Sequence, residues 1–409
     1  MRSRYKIAIV GGGPAGSLTA ISLCRARPEL AEDILLLEGK DMPREKVCGG
    51  GVAGRVVDHL GSLGISLEKI PVAEIEGMYL MYGERKAGSI FYGRHSYVVR
   101  RSAFDALLLD RAKEYGVEVR TDAPVKGAYR ERDGISLIGG DGCQYHARVM
   151  VCADGVNGKS RTWFGLPAHH ERLLLLQTDF RRIESDHFLD SAMLMDYSAV
   201  KYGIPGYVWI FPSVNEEGEP VFNAGITGLP YKNGVTAALK AVFEEIMRNH
   251  THVHGLTPGE FKYKSYPERA FSPFQVNARD GIVFVGEQLG VDPMTGEGLG
   301  ICADSAACAA EEIMHAMDTG DYSCKGYTYR LLRSGFFPLY AAGKVFTEFL
   351  TERRFPMLLS LIANANGDGR EFILNHYCKI FAGVMEPESL WSAQLLKEIL
   401  NGIRQTVSG

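Results

Sequence analysis

Three glycines near the N-terminus have the spacing of a turn that binds a dinucleotide. The run Gly11-Gly-Gly13-Pro-Ala-Gly16 follows an apolar segment at residues 5–10 and precedes a helical pattern. Gly11 allows a tight turn, Gly13 lets backbone N–H groups approach a pyrophosphate, and Gly16 lets a helix pack closely on a strand. The phosphates would then lie at a helix N-terminus, where the helix dipole favours negative charge.

Glu38 completes this unit, because it ends the next apolar segment 38 − 16 = 22 residues after the last glycine. A carboxylate at this distance accepts hydrogen bonds from ribose hydroxyls. An acid also repels a 2′-phosphate, so the unit is predicted to hold FAD or NAD rather than NADP. The cofactor-binding candidates in this unit are Gly11, Gly13, Ala15, Gly16, Glu38 and Gly39.

A second pattern is a row of alternating aromatic residues, Tyr207, Trp209 and Phe211. Alternate residues of a strand point to the same face of a sheet, so these rings should lie side by side. Such a wall can bury an apolar ligand and place π-faces beside a developing carbocation, worth about 0.5 to 2 kcal/mol per ring. The alternative is that the three rings only fill the core of a sheet.

The elements around these residues indicate two kinds of structure. Helical periodicity at 102–115 and strand patterns at 117–120, 134–138 and 148–152 continue the α/β region. From about 170 to 270 aromatic and polar residues alternate, which is typical of an antiparallel sheet with one buried face, and a helix is predicted at 235–250. An apolar strand at 281–285 and a helix at 300–317 then indicate that the α/β region resumes.

The predicted fold class is therefore α/β, with an inserted antiparallel sheet and a helical C-terminal region. We expect a discontinuous nucleotide-binding domain at 1–70, 100–168 and 271–326. The sheet domain is expected at 71–99 and 169–270, and it would hold the substrate. Residues 327–409 are rich in Phe, Leu and Tyr and are predicted to be helical.

Composition excludes several classes of protein. A net charge of −4 and a pI near 6.3 leave no basic field for nucleic acid. The eight cysteines form no CxxC pair and the histidines show no metal spacing, so we expect neither a disulfide framework nor a metal site. The apolar stretches fall short of the roughly 20 residues of a membrane span, and the N-terminus does not resemble a signal peptide. The prediction is a cytoplasmic protein; peripheral membrane contact by the C-terminal region stays open.

Four separated segments resemble the flavoprotein superfamily built on the para-hydroxybenzoate hydroxylase fold. They are the glycine turn, Arg101-Ser-Ala-Phe-Asp105, Ala153-Asp-Gly-Val-Asn157 and the run from Val285 to Leu299. The resemblance implies a Rossmann-like FAD-binding domain in which the last run covers the ribityl chain and the isoalloxazine ring. It implies that Arg101 contacts FAD and that Asp154 lines the route of a nicotinamide donor. It adds these cofactor-binding candidates: Arg101, Asp154, Gly286, Glu287, Gly296, Gly298 and Leu299.

One position departs from this superfamily's pattern. Most members place Asp after the glycine that corresponds to Gly286, where it binds ribityl hydroxyls, whereas this chain has Glu287. Glutamate can still accept the same hydrogen bond if the turn relaxes by the length of one methylene. FAD therefore remains the predicted cofactor.

Two further motifs narrow the resemblance to one branch. Cys48-Gly-Gly-Gly51 and Tyr207-Val-Trp209-Ile-Phe211-Pro212 are similar to elements of the geranylgeranyl reductase family. The family implies that FAD-dependent reduction saturates C=C bonds of an isoprenoid chain carried by a lipid, a quinone or a related molecule. It also implies that the two elements face each other across the flavin. The substrate-binding candidates are Gly49, Gly50, Gly51, Tyr207, Trp209, Phe211 and Pro293.

The chemistry of an isolated alkene explains why such residues would be needed. No carbonyl polarises the double bond, so a hydride needs either a proton at one carbon or a site that stabilises positive charge at the other. The catalytic candidates are Cys48, Tyr207 and Trp209. Cys48 is interpreted either as a proton donor or shape element, or as an inert buried thiol. Asp292 and Glu297 are further candidate acids, or else solvated loop carboxylates.

The fold alone does not decide the reaction. The alternative is an FAD-dependent monooxygenase or halogenase acting on an aromatic or apolar small molecule, since halogenases carry a similar Trp-x-Trp-x-Ile-Pro element. The electron donor also stays open, because one dinucleotide fingerprint is present. NADPH, NADH or a ferredoxin, the last being a protein partner, could visit transiently.

Overall fold

The structure is a computed structural model of the chain. It describes residues 3–83, 85–167, 172–181, 189–228, 235–250, 261–292 and 295–335, with a few positions beyond, as far as 354. The strands are β1 Arg4–Val10, β2 Ile34–Leu37, β3 Gly51–Val52, β4 Val72–Tyr82, β5 Arg85–Val99, β6 Glu118–Arg120, β7 Val125–Glu131, β8 Gly134–Gly139, β9 Gln144–Cys152, β10 Arg172–Arg181, β11 Ala192–Asp196, β12 Val208–Val214, β13 Pro220–Gly228, β14 Lys264–Arg269, β15 Ala278–Arg279 and β16 Ile282–Phe284.

The described part of the chain has fewer α-helices than strands. They are α1 Pro14–Ala26, α2 Gly54–Ser62, α3 Arg101–Glu114, α4 Ser160–Trp163, α5 Val235–Asn249, α6 Leu299–Thr319 and α7 Gly326–Leu332. Pro14 favours the start of α1, because its fixed φ suits a first helical residue and its missing N–H would have no partner there. Helix α1 packs against α3 and α6.

The first sheet has a parallel centre. Its order is β15-β16-β9-β1-β2-β6, and β8 and β7 extend it antiparallel from β9. Strands β16, β9, β1, β2 and β6 run parallel. Strand β2 is an unbroken apolar run whose four residues are all buried, as expected for a strand covered on both faces. The carboxyl ends of β1 and β9 therefore lie side by side, and ligands of such sheets bind at this edge.

The second sheet is antiparallel except where β4 meets β11. Its order is β14-β10-β13-β12-β11-β4-β5-β3. The side chains of β12 alternate between two apolar clusters. Tyr207, which precedes the strand, Trp209 and Phe211 belong to one cluster, whereas Val208 and Ile210 join the cluster under α5. The alternation in the sequence thus predicts the faces of this strand.

The α/β fold class is confirmed. The predicted helices at 102–115, 235–250 and 300–317 correspond to α3, α5 and α6 within about two residues, and the predicted strands at 117–120, 134–138 and 148–152 correspond to β6, β8 and β9. The division into domains stays a proposal; the short strand β3, from the segment assigned to the nucleotide domain, pairs with β5 in the second sheet. Most of the predicted C-terminal helical region lies outside the described residues.

None of the helices that the structure describes is both long enough and apolar enough to cross a bilayer.

The contact between α1 and the glycine turn gives a first prediction. A methyl group at Gly16 would overlap the carbonyl oxygen of Gly11, so Gly16→Ala should lower the free energy of unfolding by about 1–3 kcal/mol through overpacking. The matched control is Gly61→Ala in α2, where a methyl group would meet nothing within 4 Å. The control should gain up to about 1 kcal/mol from helix propensity. Urea unfolding measures both, and equal stabilities for the two variants would contradict the packing argument.

Candidate active site

A cavity of about 610 Å³ lies where the two sheets meet. One side is formed by the turn between β1 and α1 and by the end of β2, and the other by β12 and β14. Most sequence candidates line it together, although their individual roles stay predictions. They are Gly11, Gly13, Ala15, Glu38, Gly39, Cys48, Gly49, Gly50, Gly51, Arg101, Asp154, Tyr207, Trp209, Phe211, Glu287, Gly296, Gly298 and Leu299.

Two candidate glycines lie behind the cavity wall. Gly16 faces the carbonyl oxygen of Gly11, and Gly286, with φ of 60°, faces the side chain of Ala15. Both positions leave no space for a Cβ, so these glycines shape the site by allowing close packing. Pro293, predicted to bind substrate, lies outside the described residues.

The glycine turn has the geometry of an anion site. Gly11 has φ of 109°, and a side chain there would overlap the carbonyl group of Ala153 at the end of β9. Helix α1 begins directly after Gly13, and no described side chain caps its first N–H groups. A guanidinium nitrogen of Arg44 lies 3.3 Å from the place that a Cβ would take on Gly13. Open N–H donors and a nearby cation fit a pyrophosphate.

Glu38 holds the turn as well as facing the cavity. Its Oε2 accepts a hydrogen bond from the backbone N–H of Gly12 at 2.7 Å, and its Oε1 accepts one from Lys40 at 3.0 Å. Arg44 lies 3.7 Å from Oε1. These contacts fix the carboxylate at the end of β2 before any ligand binds. The sequence motif alone does not show them.

Glu287 offers an observation that tests whether FAD fits. Its Oε2 lies 3.5 Å from the ammonium group of Lys46, while its buried Oε1 has no hydrogen-bond partner among the described residues. A buried carboxylate oxygen without a donor is costly. A ribityl hydroxyl could supply that donor, so the chain's residues fit the flavin at this position, including the longer side chain of Glu287.

Arg101 and Asp154 both line the cavity, but each is already engaged. Arg101 donates to both carboxylate oxygens of Asp105, at 2.8 and 3.1 Å. Asp154 accepts hydrogen bonds from the backbone and hydroxyl of Ser160 and from Gln288. Burial raises the pKa of Asp154, and the bonds from Ser160 oppose that shift. These pairs orient the two charged groups along the cavity wall.

The three aromatic residues form one wall of the cavity. The ring of Tyr207 packs against Tyr197 at 5.5 Å and edge-on against Trp209 at 6.5 Å. All three candidate rings are buried. The hydroxyl of Tyr207 donates to the carbonyl oxygen of Thr295 in the loop before α6, so this hydrogen bond joins the wall to the predicted flavin-covering run.

Two side chains that the sequence analysis missed hold the peptide of Cys48. The backbone N–H of Cys48 donates to Gln177 at 2.9 Å, and its carbonyl accepts from Asn223 at 2.9 Å. Asn223 also accepts from the indole N–H of Trp209 at 2.9 Å. Gln177 and Asn223 carry no motif, because one polar residue within a strand gives no signal until the sheet is assembled. Together they fix the glycine segment against the aromatic wall.

The Cys48 thiol itself makes local contacts. Its sulfur accepts from the backbone N–H of Gly50 at 3.4 Å, and the residue is half-buried. A Cβ on Gly49 would lie 3.1 Å from the ring of Phe211 and 3.5 Å from the Trp209 nitrogen. The backbone at Gly49 therefore packs directly against the rings, where any side chain would be crowded.

Two buried acids, Glu268 and Glu297, also line the cavity. Burial raises the pKa of Glu268 on β14 to about 8, and the neighbouring Glu287 adds to this shift. Burial also raises the pKa of Glu297 to about 7, although its carboxylate accepts from the N–H of Gly300 at 2.7 Å. Asp292 accepts from Thr295 and does not line the cavity. Glu268 was not predicted, because a glutamate beside an arginine at a strand end looks like a surface residue.

Glu268 also makes stability depend on pH. Its pKa rises on folding from 4.5 to about 8, so between these values the folded chain keeps a proton that the unfolded chain has lost. This contribution to stability falls as pH rises. We expect Glu268→Gln to gain stability relative to wild type from pH 5 to 8, by at most roughly 1.4 kcal/mol per pH unit.

Urea unfolding at pH 5, 6, 7 and 8 measures this trend. The control is Glu312→Gln, because Glu312 is a buried glutamate outside the cavity that pairs with Arg330 at 3.0 Å. That variant should be destabilised at neutral pH through loss of its ion pair. A stability difference between Glu268→Gln and wild type that stays constant across the range would refute the raised pKa.

Comparison with known proteins places this arrangement in a family. A model of the family described as FAD binding domain matches residues 4–272. A digeranylgeranylglycerophospholipid reductase of Methanopyrus kandleri is 29% identical over 337 residues, covering 80% of this chain and 85% of the relative. A protein of the same name from Methanocaldococcus jannaschii is 25% identical over 325 residues, covering 78% and 79%.

Solved structures show the same fold. A geranylgeranyl bacteriochlorophyll reductase-like protein of Thermoplasma acidophilum superposes with a TM-score of 0.72 at 22% identity, covering 88% of this chain and 92% of that one. A flavin-dependent brominase superposes with a TM-score of 0.68 at 17% identity, covering 99% and 100%. The predicted resemblance to the geranylgeranyl reductases is confirmed, and the chain belongs to the FAD binding domain family of flavoproteins as an FAD-dependent oxidoreductase.

Proposed function

We propose that the protein is an FAD-dependent reductase that saturates C=C bonds of an isoprenoid chain carried by a lipid, a quinone or a related molecule. The observation that carries the proposal is that the buried rings of Tyr207, Trp209 and Phe211 line the same cavity as the glycine turn and Glu287. An apolar chain fits such a cavity, because aromatic rings and the glycines at 49–51, which lack side chains, both line it. The relatives named as digeranylgeranylglycerophospholipid reductases support the same substrate class.

The cavity residues have distinct tasks in this reaction. Reduced FAD, when bound, would supply a hydride. The glycine turn and Arg44 would hold its phosphates, and Glu287 would accept a hydrogen bond from its ribityl chain. The wall of Tyr207, Trp209 and Phe211 would exclude water and stabilise positive charge that develops on the alkene.

Cys48 fits best as a shape element in this scheme. Its peptide is clamped at both the N–H and the carbonyl, and its sulfur faces the N–H of Gly50. This clamp fixes how closely the three following glycines approach the rings. The role of the thiol in proton transfer stays a prediction, as do the identity of the electron donor and contact with a membrane.

The alternative, a monooxygenase or halogenase, rests on fold similarity to the brominase. Fold similarity at this identity does not transfer a reaction. An anaerobic experiment separates the two functions. The FAD-loaded protein is reduced under nitrogen and mixed with a geranylgeranyl lipid, while flavin absorbance and lipid mass are followed. Flavin reoxidation with a gain of two hydrogens per double bond supports the reductase. Reoxidation only by oxygen, with an oxygenated or halogenated product, would reject it.

The aromatic wall gives a prediction about substrate affinity. Phe211→Leu should weaken binding of a geranylgeranyl lipid roughly five- to tenfold, since about 1 kcal/mol of apolar contact and ring stacking is lost. KM should rise because apolar contact is lost, and kcat should fall as well, because the ring would no longer stabilise the positive charge that develops on the alkene. The control is Phe222→Leu, since Phe222 is a buried ring on the opposite face of the sheet. An equal rise in KM for both variants would show that the effect comes from sheet stability.

A further inference from the structure

Glu268 is a buried acid that lines the cavity from β14, a strand on which the sequence predicted no site residue. It lies on β14, beside Leu173 of β10, and only 6% of its surface is exposed. Its Oε2 has no hydrogen-bond partner among the described residues. That oxygen lies 4.0 Å from the place that a Cβ would take on Gly296, and the hydroxyl of Tyr207 lies 3.5 Å from the same point. The two groups therefore converge on the loop that precedes α6.

Other acidic groups near this point already have a hydrogen-bond or ion-pair partner. The hydroxyl of Tyr207 donates a hydrogen bond to the backbone carbonyl oxygen of Thr295, and burial raises the pKa of Tyr207 well above its ordinary value. The carboxylate of Glu297 accepts from the N–H of Gly300 and so caps the start of α6. Of the acids that line the described cavity, Glu268 and Glu287 keep a buried oxygen without a partner, and Glu287 is the one held beside Lys46.

Burial, more than the surrounding charges, keeps Glu268 protonated. Burial and the neighbouring Glu287 and Glu297 raise its pKa to about 8, whereas Lys46 and Arg101 lower it. These groups come from the 3-10 turn at Gly286–Gln288, the loop before α6, the Cys48 loop and the start of α3. A general acid works best when its pKa lies near the working pH. The two cations would stabilise the carboxylate that remains after proton transfer.

We propose that Glu268 is the acid that protonates the alkene, an inference that rests on the proposed reductase function. The Glu268 O–H bond breaks, and the π electron pair of the alkene forms a C–H bond with that proton at one carbon. Reduced FAD, when bound, would supply the hydride for the second C–H bond at the other carbon, and the two electrons of that hydride would balance the reduction of the alkene. Glu268 then regains a proton from water. A buried acid with an open oxygen is costly for stability, and this chemistry gives a reason for it.

The first arm of the test does not depend on activity. The FAD-free protein is titrated from pH 6 to 10, and the infrared carbonyl band of protonated carboxylic acids is recorded. In wild type a component of this band should disappear near pH 8, and it should be missing from Glu268→Gln but present in the control Glu312→Gln. Identical bands in wild type and Glu268→Gln would overturn the proposal.

The second arm measures proton transfer directly. Reduced, FAD-loaded wild type and Glu268→Gln are mixed with a geranylgeranyl lipid under nitrogen, and single-turnover reoxidation is followed. The variant should be at least about 100-fold slower, as expected for loss of a general acid, while its FAD affinity and lipid affinity stay within about twofold of wild type. Glu268→Asp should fall between the two, because it keeps the proton but withdraws it by one methylene.

The outcomes distinguish the two proposals. Wild type that is not reoxidised by the prenyl lipid refutes the reductase function, whatever the infrared titration shows. Wild type that is reoxidised at the same rate as Glu268→Gln leaves the reductase function standing and overturns the role of Glu268. If Glu268→Gln loses FAD, then Glu268→Asp decides: a rate that falls with rising pH near the acid's own titration supports the proposal, and a rate independent of pH overturns it.

Discussion

Polar atoms buried in an apolar wall must find hydrogen-bond partners, and in this protein those partners join distant parts of the chain. The indole of Trp209 donates to Asn223, which in turn donates to the carbonyl of Cys48. The hydroxyl of Tyr207 reaches the loop before α6. Each missing bond would cost about 1–3 kcal/mol, so these contacts hold the Cys48 segment and the loop before α6 against the aromatic wall.

Close backbone approach is the second requirement of the site. The glycine turn after β1 meets the end of β9, and the glycines after Cys48 meet the rings of β12. At both places a Cβ would crowd neighbouring protein atoms, namely the carbonyl group of Ala153 at Gly11 and the ring of Phe211 at Gly49. The cavity is then lined by glycines of the two segments and by the large rings that begin at Tyr207. This arrangement suits a flat cofactor next to an extended apolar chain, because both make contact through their faces.

The distribution of charge separates the two ends of the cavity. Open N–H groups of α1 and Arg44 lie at one end, where an anion is favoured. Glu268, Glu287 and Glu297 gather near the wall, balanced only in part by Lys46 and Arg101. Proteins with the same fold perform other reactions, so the chemistry must follow from these local groups. An acid buried beside aromatic rings is shielded from water, and it is therefore suited to transferring a proton to a hydrocarbon.

The sequence by itself determined the local units: the glycine turn with Glu38, the faces of the strand that carries Trp209 and Phe211, and helices such as α6. These depend on residue type and on periods of 2 and 3.6 residues, which are visible along the chain. Only the tertiary structure decided that Gln177 and Asn223 clamp Cys48, that Gly16 and Gly286 act from behind the wall, and that Glu268 is buried. Those facts depend on which strands become neighbours, and a single polar residue in a strand carries no record of its partner. The pairing of β14 with β10, rather than any local pattern, places Glu268 in the cavity wall.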